Sequence, residues 1–173
     1  MGKEAQFIAT QLGVPVNQVS DKINRLLDEN KRLSKQMENY EKEVANKQLD
    51  DILNNIESFN GIQLAIGMIN TKDNNSLRSL GDNMRDRLKS GIGTLGSVID
   101  DKASLLVVVS KDLVNRFKAG DLASKMASVV NGKGGGRPDM AMAGGKDFDK
   151  IKAAFEEVRA NIRQILVGTE KGE

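Results

Sequence analysis

The sequence predicts an α/β fold of the α+β type, in which a long coiled-coil-like helix precedes a small mixed β-sheet domain covered by helices. Residues 16–57 contain no glycine or proline and place apolar side chains at alternating spacings of four and three, which is typical of a helical seam. Beyond residue 60, short apolar stretches alternate with amphipathic ones, as expected for a sheet covered by helices. We therefore divide the chain into a helical arm (1–58) and a globular domain (59–173).

A short helix, Lys3 to Leu12, is expected first, because Gly13 and Pro15 interrupt the helical pattern after it. The long helix then runs from Val16 to about Glu57. Its heptad places a lone asparagine, Asn30, among apolar a positions, and such a residue favours one register and one oligomeric state. The residues expected to form a dimerisation seam are Ile23, Leu26, Asn30, Leu33, Met37 and Tyr40.

Two interpretations of this seam remain open. It pairs with another helix as a dimerising coiled coil or an antiparallel arm, or it packs against another part of the same polypeptide. The charged residues that flank the seam form a poor attractive set, with Lys22, Glu29 and Glu43 at g positions and Glu41 at an e position. They therefore do not decide between the alternatives.

The globular domain should begin with a strand, because Ile62–Ile69 alternates apolar with small or polar residues. Asn75 or Ser76 is expected to cap the helix that follows. An Asp100-Asp101-Lys102 turn should join two strands in a hairpin, and the apolar run "LLVVV" in the second suits a central strand. The remaining helices are predicted at residues 75–89, 119–130 and 148–166.

A glycine-rich segment, "NGKGGGRPDMAMAGGK" from Asn131 to Lys146, lies between the last two of these helices and reads as a loop. Consecutive glycines can point successive backbone N–H groups into one concavity, a nest that favours phosphate. Lys133 and Arg137 flank the glycines, and an arginine fork suits a phosphate or a base edge. From composition alone, however, such a cluster is more often an ordinary loop than a phosphate site.

Composition excludes several classes of function. The chain has no histidine and no cysteine, so zinc sites, disulfides and histidine-assisted nucleophiles are absent. No catalytic constellation, metal site or cofactor is expected. No apolar run reaches the roughly 18 residues that cross a bilayer, and the N-terminus lacks a secretory signal. We therefore expect a cytoplasmic protein that does not enter a membrane.

The order of residues in the glycine segment is more specific than its composition. "GKGGGRPDMAMAGG" followed by "KDFDKIKAAFEEV" resembles the C-terminal domain of alanyl-tRNA synthetase, a helical arm plus a glycine-rich domain that DHH-type phosphoesterases also carry. The resemblance covers essentially the whole chain and is strongest from Leu105 to Glu157. Two positions depart from the family pattern. Met142 stands where the synthetases usually have glutamine, and Arg137-Pro138 replaces the histidine of the phosphoesterases.

The resemblance implies a non-catalytic module at the C-terminus of a longer ATP-dependent alanine–tRNA ligase. Such a module contacts the elbow of tRNA and supports a homodimer. Residues 102–137 contain seven basic and two acidic side chains, which agrees with a partner rich in phosphate. The residues expected to bind RNA are Lys111, Arg116, Lys118, Lys125, Lys133, Gly134, Gly135, Gly136 and Arg137.

Other interpretations accompany this one. The glycines would instead let the last helix pack close to the sheet, with Arg137 and Asp139 bonding locally. Two other functions also stay open: a purely structural oligomerisation domain, or an accessory nucleotide- or phosphate-binding domain of a DHH-type phosphoesterase. A second basic stripe, Arg78, Arg85 and Lys89, reads as a solvated helix surface.

Overall fold

A computed structural model describes the chain from residue 2 to residue 170. Its helices are α1 (Lys3–Leu12), α2 (Val19–Asn54), α3 (Asn74–Arg87), α4 (Ala119–Val129) and α5 (Ile151–Glu170). Its strands are β1 (Glu57–Phe59), β2 (Ile62–Met68), β3 (Gly91–Ile99), β4 (Lys102–Val109), β5 (Gly132–Gly136) and β6 (Met140–Gly145). Short 3₁₀ turns precede α2 and α5.

The chain forms two compact units, which divide between Glu41 and Lys42, inside α2. The C-terminal turns of α2 belong to the second unit, where Ala45 and Leu49 are buried in its core. The division therefore falls earlier than residue 58, because an apolar face returns to the helix before its end. The domain boundary near 58 stays a prediction.

In the first unit, Gly13 ends α1 in the left-handed conformation (φ 65°), which closes the helix as the sequence indicates.

The long helix ends at Asn54, slightly before the expected Glu57, because Glu57 is the first residue of β1. Strand β1 was not expected from sequence. Its turn to β2 is Asn60-Gly61, where both residues have positive φ, and Asn-Gly is the strongest short signal for such a hairpin.

The second unit contains one six-stranded sheet with the order β1-β2-β3-β4-β6-β5. Strands β2 and β3 run parallel and every other neighbouring pair is antiparallel. The predicted mixed sheet covered by helices is confirmed. So is the β3–β4 hairpin, in which Asp100 and Asp101 take positive φ values of 50° and 56°. Helix α3 is capped by Asp73 rather than by Asn75 or Ser76, since the Ser76 N–H donates to its carboxylate at 2.7 Å.

Helices cover both faces of the sheet, and β4 lies in its middle. Leu105 and Val107 of β4 point toward a core that contains residues of α4 and α5. Leu106 and Val108 point to the opposite face, where they pack with residues of α3 and of the end of α2. Because side chains alternate along a strand, a strand buried on both faces has to be apolar throughout. The "LLVVV" run meets that requirement.

Candidate nucleic-acid interface

The glycine-rich segment is a β-hairpin at the edge of the sheet, so the expected loop is wrong. Strands β5 and β6 pair over their whole length, and the Arg137 N–H donates to the Met140 carbonyl at 2.9 Å to close the turn. In extended strands successive N–H groups point to opposite sides. The glycines Gly134, Gly135 and Gly136 therefore do not form the anion nest that the sequence suggested.

Alternate glycines of the hairpin are required by close packing. A Cβ at Gly134 would lie 2.6 Å from the Ala123 carbonyl oxygen of α4. A Cβ at Gly136 would lie 2.8 Å from the Met140 carbonyl oxygen, and one at Gly132 would overlap the carbonyl of Gly144. The expectation that a glycine admits a helix close to the sheet holds for Gly134, but the helix is α4 and not the last one. At Gly132 and Gly136 the atoms in the way belong to the neighbouring strand β6.

Gly135 differs from its neighbours. It pairs with Met142 of β6, and Met142 in turn pairs with Leu106, whose side chain packs on the α3 face of the sheet. Gly135 therefore faces the α3 side, opposite to Gly134 and α4. A Cβ at Gly135 would meet no described atom within 4 Å. The fold consequently places no steric demand for glycine at this position.

A cleft of about 450 Å³ lies over Gly135, between α3 and the hairpin. Arg78 reaches it from α3, and its Nη2 lies 3.5 Å from the Met142 sulfur. The residues that line the cleft are Arg78, Gly135, Gly136, Arg137, Met140, Ala141 and Met142. Arg78 was expected to be mere solvated surface. The structure instead places it in the same cleft as three of the predicted RNA-binding residues.

The carboxylate of Asp139 joins the hairpin turn to α3. One of its oxygens accepts from Arg85 at 2.9 Å, and the other lies 3.4 Å from the Arg137 Nε. The local Arg137–Asp139 bond expected from sequence is therefore confirmed. The interpretation of Arg85 as solvated surface is wrong, because only 22% of its side chain is exposed. Its i+7 spacing from Arg78 was the signal that both arginines share one face of α3.

The other predicted cations fall into separate groups. Lys118 precedes α4, whose first N–H, at Ala119, donates to the Pro138 carbonyl, so Lys118 lies beside the Arg137 turn. Lys133 shares the face of Gly135, whereas Lys125 is exposed on α4, which packs on the other face. The basic run of the sequence is therefore divided between two faces rather than gathered in one patch.

Lys111 and Arg116 lie in the segment between β4 and α4. Asp112 organises this segment by accepting hydrogen bonds from the Ser110 and Ser90 hydroxyls. These bonds, with that of Ser110 first, lower the pKa of Asp112. Lys111 is exposed, and the Arg116 guanidinium stands 5.6 Å from the centre of the Phe117 ring. Both side chains are therefore available at the surface.

The predicted dimerisation seam lies in solvent. Its apolar members are between 40% and 69% exposed: Ile23, Leu26, Leu33, Met37 and Tyr40. Asn30 at the central a position is exposed as well. These exposed apolar side chains are available for packing. Both interpretations of the seam stay predictions.

Residues 2–170 contain no cluster of acidic side chains that would suit a metal ion, and none of their helices is both long and apolar enough to span a bilayer.

Comparison with known proteins finds one domain family and relatives that share one name. A family model described as the DHHA1 domain matches residues 34–164. The alanine–tRNA ligase of Pseudoalteromonas translucida (strain TAC 125) is 41% identical over 142 residues, which cover 82% of this chain and 16% of the ligase. That of Staphylococcus aureus (strain MSSA476) is 38% identical, covering 86% and 17% respectively. The chain thus spans less than a fifth of the length of the curated relatives that it matches.

Solved structures agree with these relatives. The C-Ala domain of Aquifex aeolicus alanyl-tRNA synthetase is 30% identical, with a TM-score of 0.57, and the match covers 64% of this chain and 96% of that domain. RecJ of Thermus thermophilus in complex with Mn²⁺ gives a TM-score of 0.50 at 11% identity, covering 92% of this chain and 26% of RecJ. The likeness to RecJ concerns the fold alone.

Proposed function

Because the chain belongs to the DHHA1 domain family, in the form of the C-terminal domain of alanyl-tRNA synthetases, we propose that it is a non-catalytic module that binds alanine-acceptor tRNA and pairs with a second copy of itself. The observation that carries this proposal is the match to nearly the whole of the Aquifex C-Ala domain. In this proposal the parent protein is an ATP-dependent alanine–tRNA ligase of the cytoplasm. The module itself needs no cofactor.

The surface around the hairpin supports contact with RNA. Lys118, Lys133 and Arg137 are exposed around the hairpin and its turn, and cations on such a surface neutralise phosphates and release counterions. The module has few aromatic side chains for stacking on bases, with a single tyrosine and no tryptophan. We therefore propose that it recognises the shape and the phosphates of the tRNA elbow more than its sequence.

Charge reversal tests the RNA contact. The Lys118→Glu, Lys133→Glu double variant should bind tRNA more weakly than the parent and should lower the slope of log K against log salt by about 2. The matched control reverses two exposed lysines outside the hairpin and its turn, Lys47 of α2 and Lys152 of α5. If both double variants lose the same affinity in fluorescence anisotropy titrations, only overall charge matters and the proposed contact is wrong.

The exposed seam of α2 supports the second half of the proposal. A lone asparagine in an apolar seam lowers stability but restricts the partner, so Asn30→Leu should strengthen association and allow other oligomers. Sedimentation equilibrium of the parent and of this variant measures the change. If neither chain self-associates at high concentration, the seam does not mediate dimerisation.

This exposed seam also favours a second candidate function, a purely structural oligomerisation domain. In that case the chain would dimerise through α2 but would not bind tRNA at any salt concentration. The anisotropy and sedimentation measurements together separate the two functions. The accessory domain of a phosphoesterase is not proposed further, because the substantial sequence identities lie with alanine–tRNA ligases.

A further inference from the structure

The edge strand β1 covers only the first half of β2. It pairs with residues 62–64 and begins at Glu57, which lies opposite Leu64. Strand β2 continues to Met68 with β3 on its other side. The chain that leads into β1 comes from the end of α2 and is not a strand. Within residues 2–170, therefore, nothing extends the sheet beside the second half of β2.

The hydrogen bonds to β3 identify the main-chain groups that are left open. The Gln63 and Ile69 N–H groups donate, at 3.0 and 2.8 Å, to carbonyls of β3 and of the residue before it. Because neighbouring residues of a strand direct their N–H and C=O groups to opposite edges, the even-numbered residues of β2 face away from β3. The main-chain groups of Ile66 and Met68 thus point to the uncovered side, where the described part of the chain gives them no partner.

Three large apolar side chains lie in solvent beside this edge. A Cβ at Gly96 would lie 3.2 Å from the Met68 sulfur and 2.7 Å from Ile151 of α5, so Met68 lies on the α5 face of the sheet. Val98 is two residues after Gly96 and therefore faces the same side. Phe148 lies in the short turn that leads into Ile151. Met68, Val98 and Phe148 are 41%, 43% and 45% exposed, and we call them the apolar patch.

An extended polypeptide fits the edge and the patch together. Extended main chain presents donors and acceptors at the spacing of a strand edge, and its alternate side chains would reach the apolar patch. The exposed charges at this end of the sheet are mixed in sign, which does not favour a nucleic acid. They are Lys72, Asp100, Asp101, Lys102 and Asp149. A second copy of this chain fits less well, because its own β1 lies on the side from which its β2 would approach.

We propose that the open edge of β2 and the apolar patch bind an extended segment of a partner polypeptide, which adds a short strand to the sheet in line with β1. Its length is limited by β1 at one end and at the other by Gln48, whose side chain accepts from the Asn70 N–H at 2.7 Å. Natural proteins usually cover or block such edges. The surface goes beyond the proposed function, because β2 and the glycine hairpin lie toward opposite edges of the sheet.

A peptide titration tests the edge directly. The probe is a blocked hexapeptide of alternating valine and lysine, added to the full chain labelled with ¹⁵N. The amide resonances of Ile66 and Met68 should shift, and their hydrogen exchange should slow by about tenfold or more at saturation. The control peptide has proline in place of its central residues and should do neither, because proline cannot donate to an edge. If the first peptide shifts neither amide at a concentration on the order of 1 mM, the proposal is wrong.

Two variants separate the edge from the patch. Met68→Pro removes an N–H from the open edge but no hydrogen bond to β3, so the chain should stay folded and bind the peptide about tenfold more weakly. Val98→Ser leaves the edge intact and should weaken binding about threefold. Its matched control is Val167→Ser on α5, a valine that is 55% exposed, which should bind like the parent. If Met68→Pro does not fold, Val98→Ser decides; if the folded variants bind like the parent, the proposal is wrong.

The other occupants give different results. Sedimentation of Val98→Ser and of the parent should give equal masses, and a loss of self-association in the variant would show that this surface pairs two copies and overturn the proposal. The variant should also bind tRNA like the parent, because the glycine hairpin is unchanged. A loss of tRNA binding would assign this surface to RNA instead. Failure of the parent to bind tRNA would contradict the proposed function and leave the peptide result to stand by itself.

Discussion

The hairpin glycines provide the sharpest test of the packing described above. Gly134 and Gly135 are adjacent and identical in sequence, yet the structure gives them opposite surroundings. A methyl group at Gly134 would lie 2.6 Å from the Ala123 carbonyl oxygen and 2.8 Å from the Ala143 Cβ. A methyl group at Gly135 would lie in open space. Alanine substitution at the two positions should therefore have effects of opposite sign.

The magnitude follows from two opposing contributions. Replacing glycine by alanine in an extended strand stabilises the native state by about 0.5–1 kcal/mol, because the unfolded chain loses freedom. At Gly134 the atoms in the way belong to the backbone of α4, which cannot rotate aside. Overpacking of this kind costs about 1–3 kcal/mol. We expect Gly135→Ala to raise the free energy of unfolding by about 0.5 kcal/mol, and Gly134→Ala to lower it by about 1–2 kcal/mol.

Urea unfolding followed by circular dichroism measures both variants against the parent. The midpoints should move in opposite directions with unchanged m values, because neither substitution alters the surface exposed on unfolding. In thermal melts each kcal/mol corresponds to about 2–4 °C for a chain of this size. Equal shifts in the same direction for Gly134→Ala and Gly135→Ala would refute the assignment of the two faces of β5.

Three further substitutions test other parts of the second unit. Gly61→Val should destabilise it by about 1 kcal/mol, measured by urea unfolding, because Gly61 has φ 80° in the β1–β2 turn. Arg159→Ala should cost about 1 kcal/mol in the same assay, because it removes the 2.7 Å pair with Glu57 that attaches β1 to α5. The hydrogen bonds that lower the pKa of Asp112 stabilise the fold above pH 3.8, and this contribution disappears as the pH falls below that value. On acidification the melting temperature of Asp112→Asn should therefore fall less than that of the parent.

Much of the fold could be read from local patterns. Strand β4 was predicted as central because a strand that is apolar on both faces is typical of a sheet covered on both sides. The β3–β4 hairpin is indicated by the tight Asp100-Asp101-Lys102 turn between two strand-like stretches, and in the structure both aspartates take the positive φ that the turn needs. The same logic applied to Asn60-Gly61 indicates the β1–β2 hairpin. That signal was missed because β1 has only three residues.

The glycine hairpin shows why the rest required the tertiary structure. Glycine has a low propensity for strands, so "GKGGG" reads as a loop when its neighbours are unknown. In the fold the strand is imposed by β6, which pairs with β5 on one side and with β4 on the other. Close approach of α4 at Gly134, and of β6 atoms at Gly132 and Gly136, then makes glycine necessary at alternate positions. Tertiary pairing thus overrides local propensity in this segment.

The sequence by itself determined the helical seam, the central strand, the absence of histidine and cysteine chemistry, and the family resemblance, because each depends on residue identity and spacing along the chain. Only the tertiary structure decided which cations share a surface. Lys125 and Lys133 are close in sequence but lie on opposite faces of the sheet, whereas Arg78 and Arg137 are distant in sequence and line one cleft. The physical reason is that proximity across a sheet is set by strand pairing and helix packing, which sequence spacing does not encode.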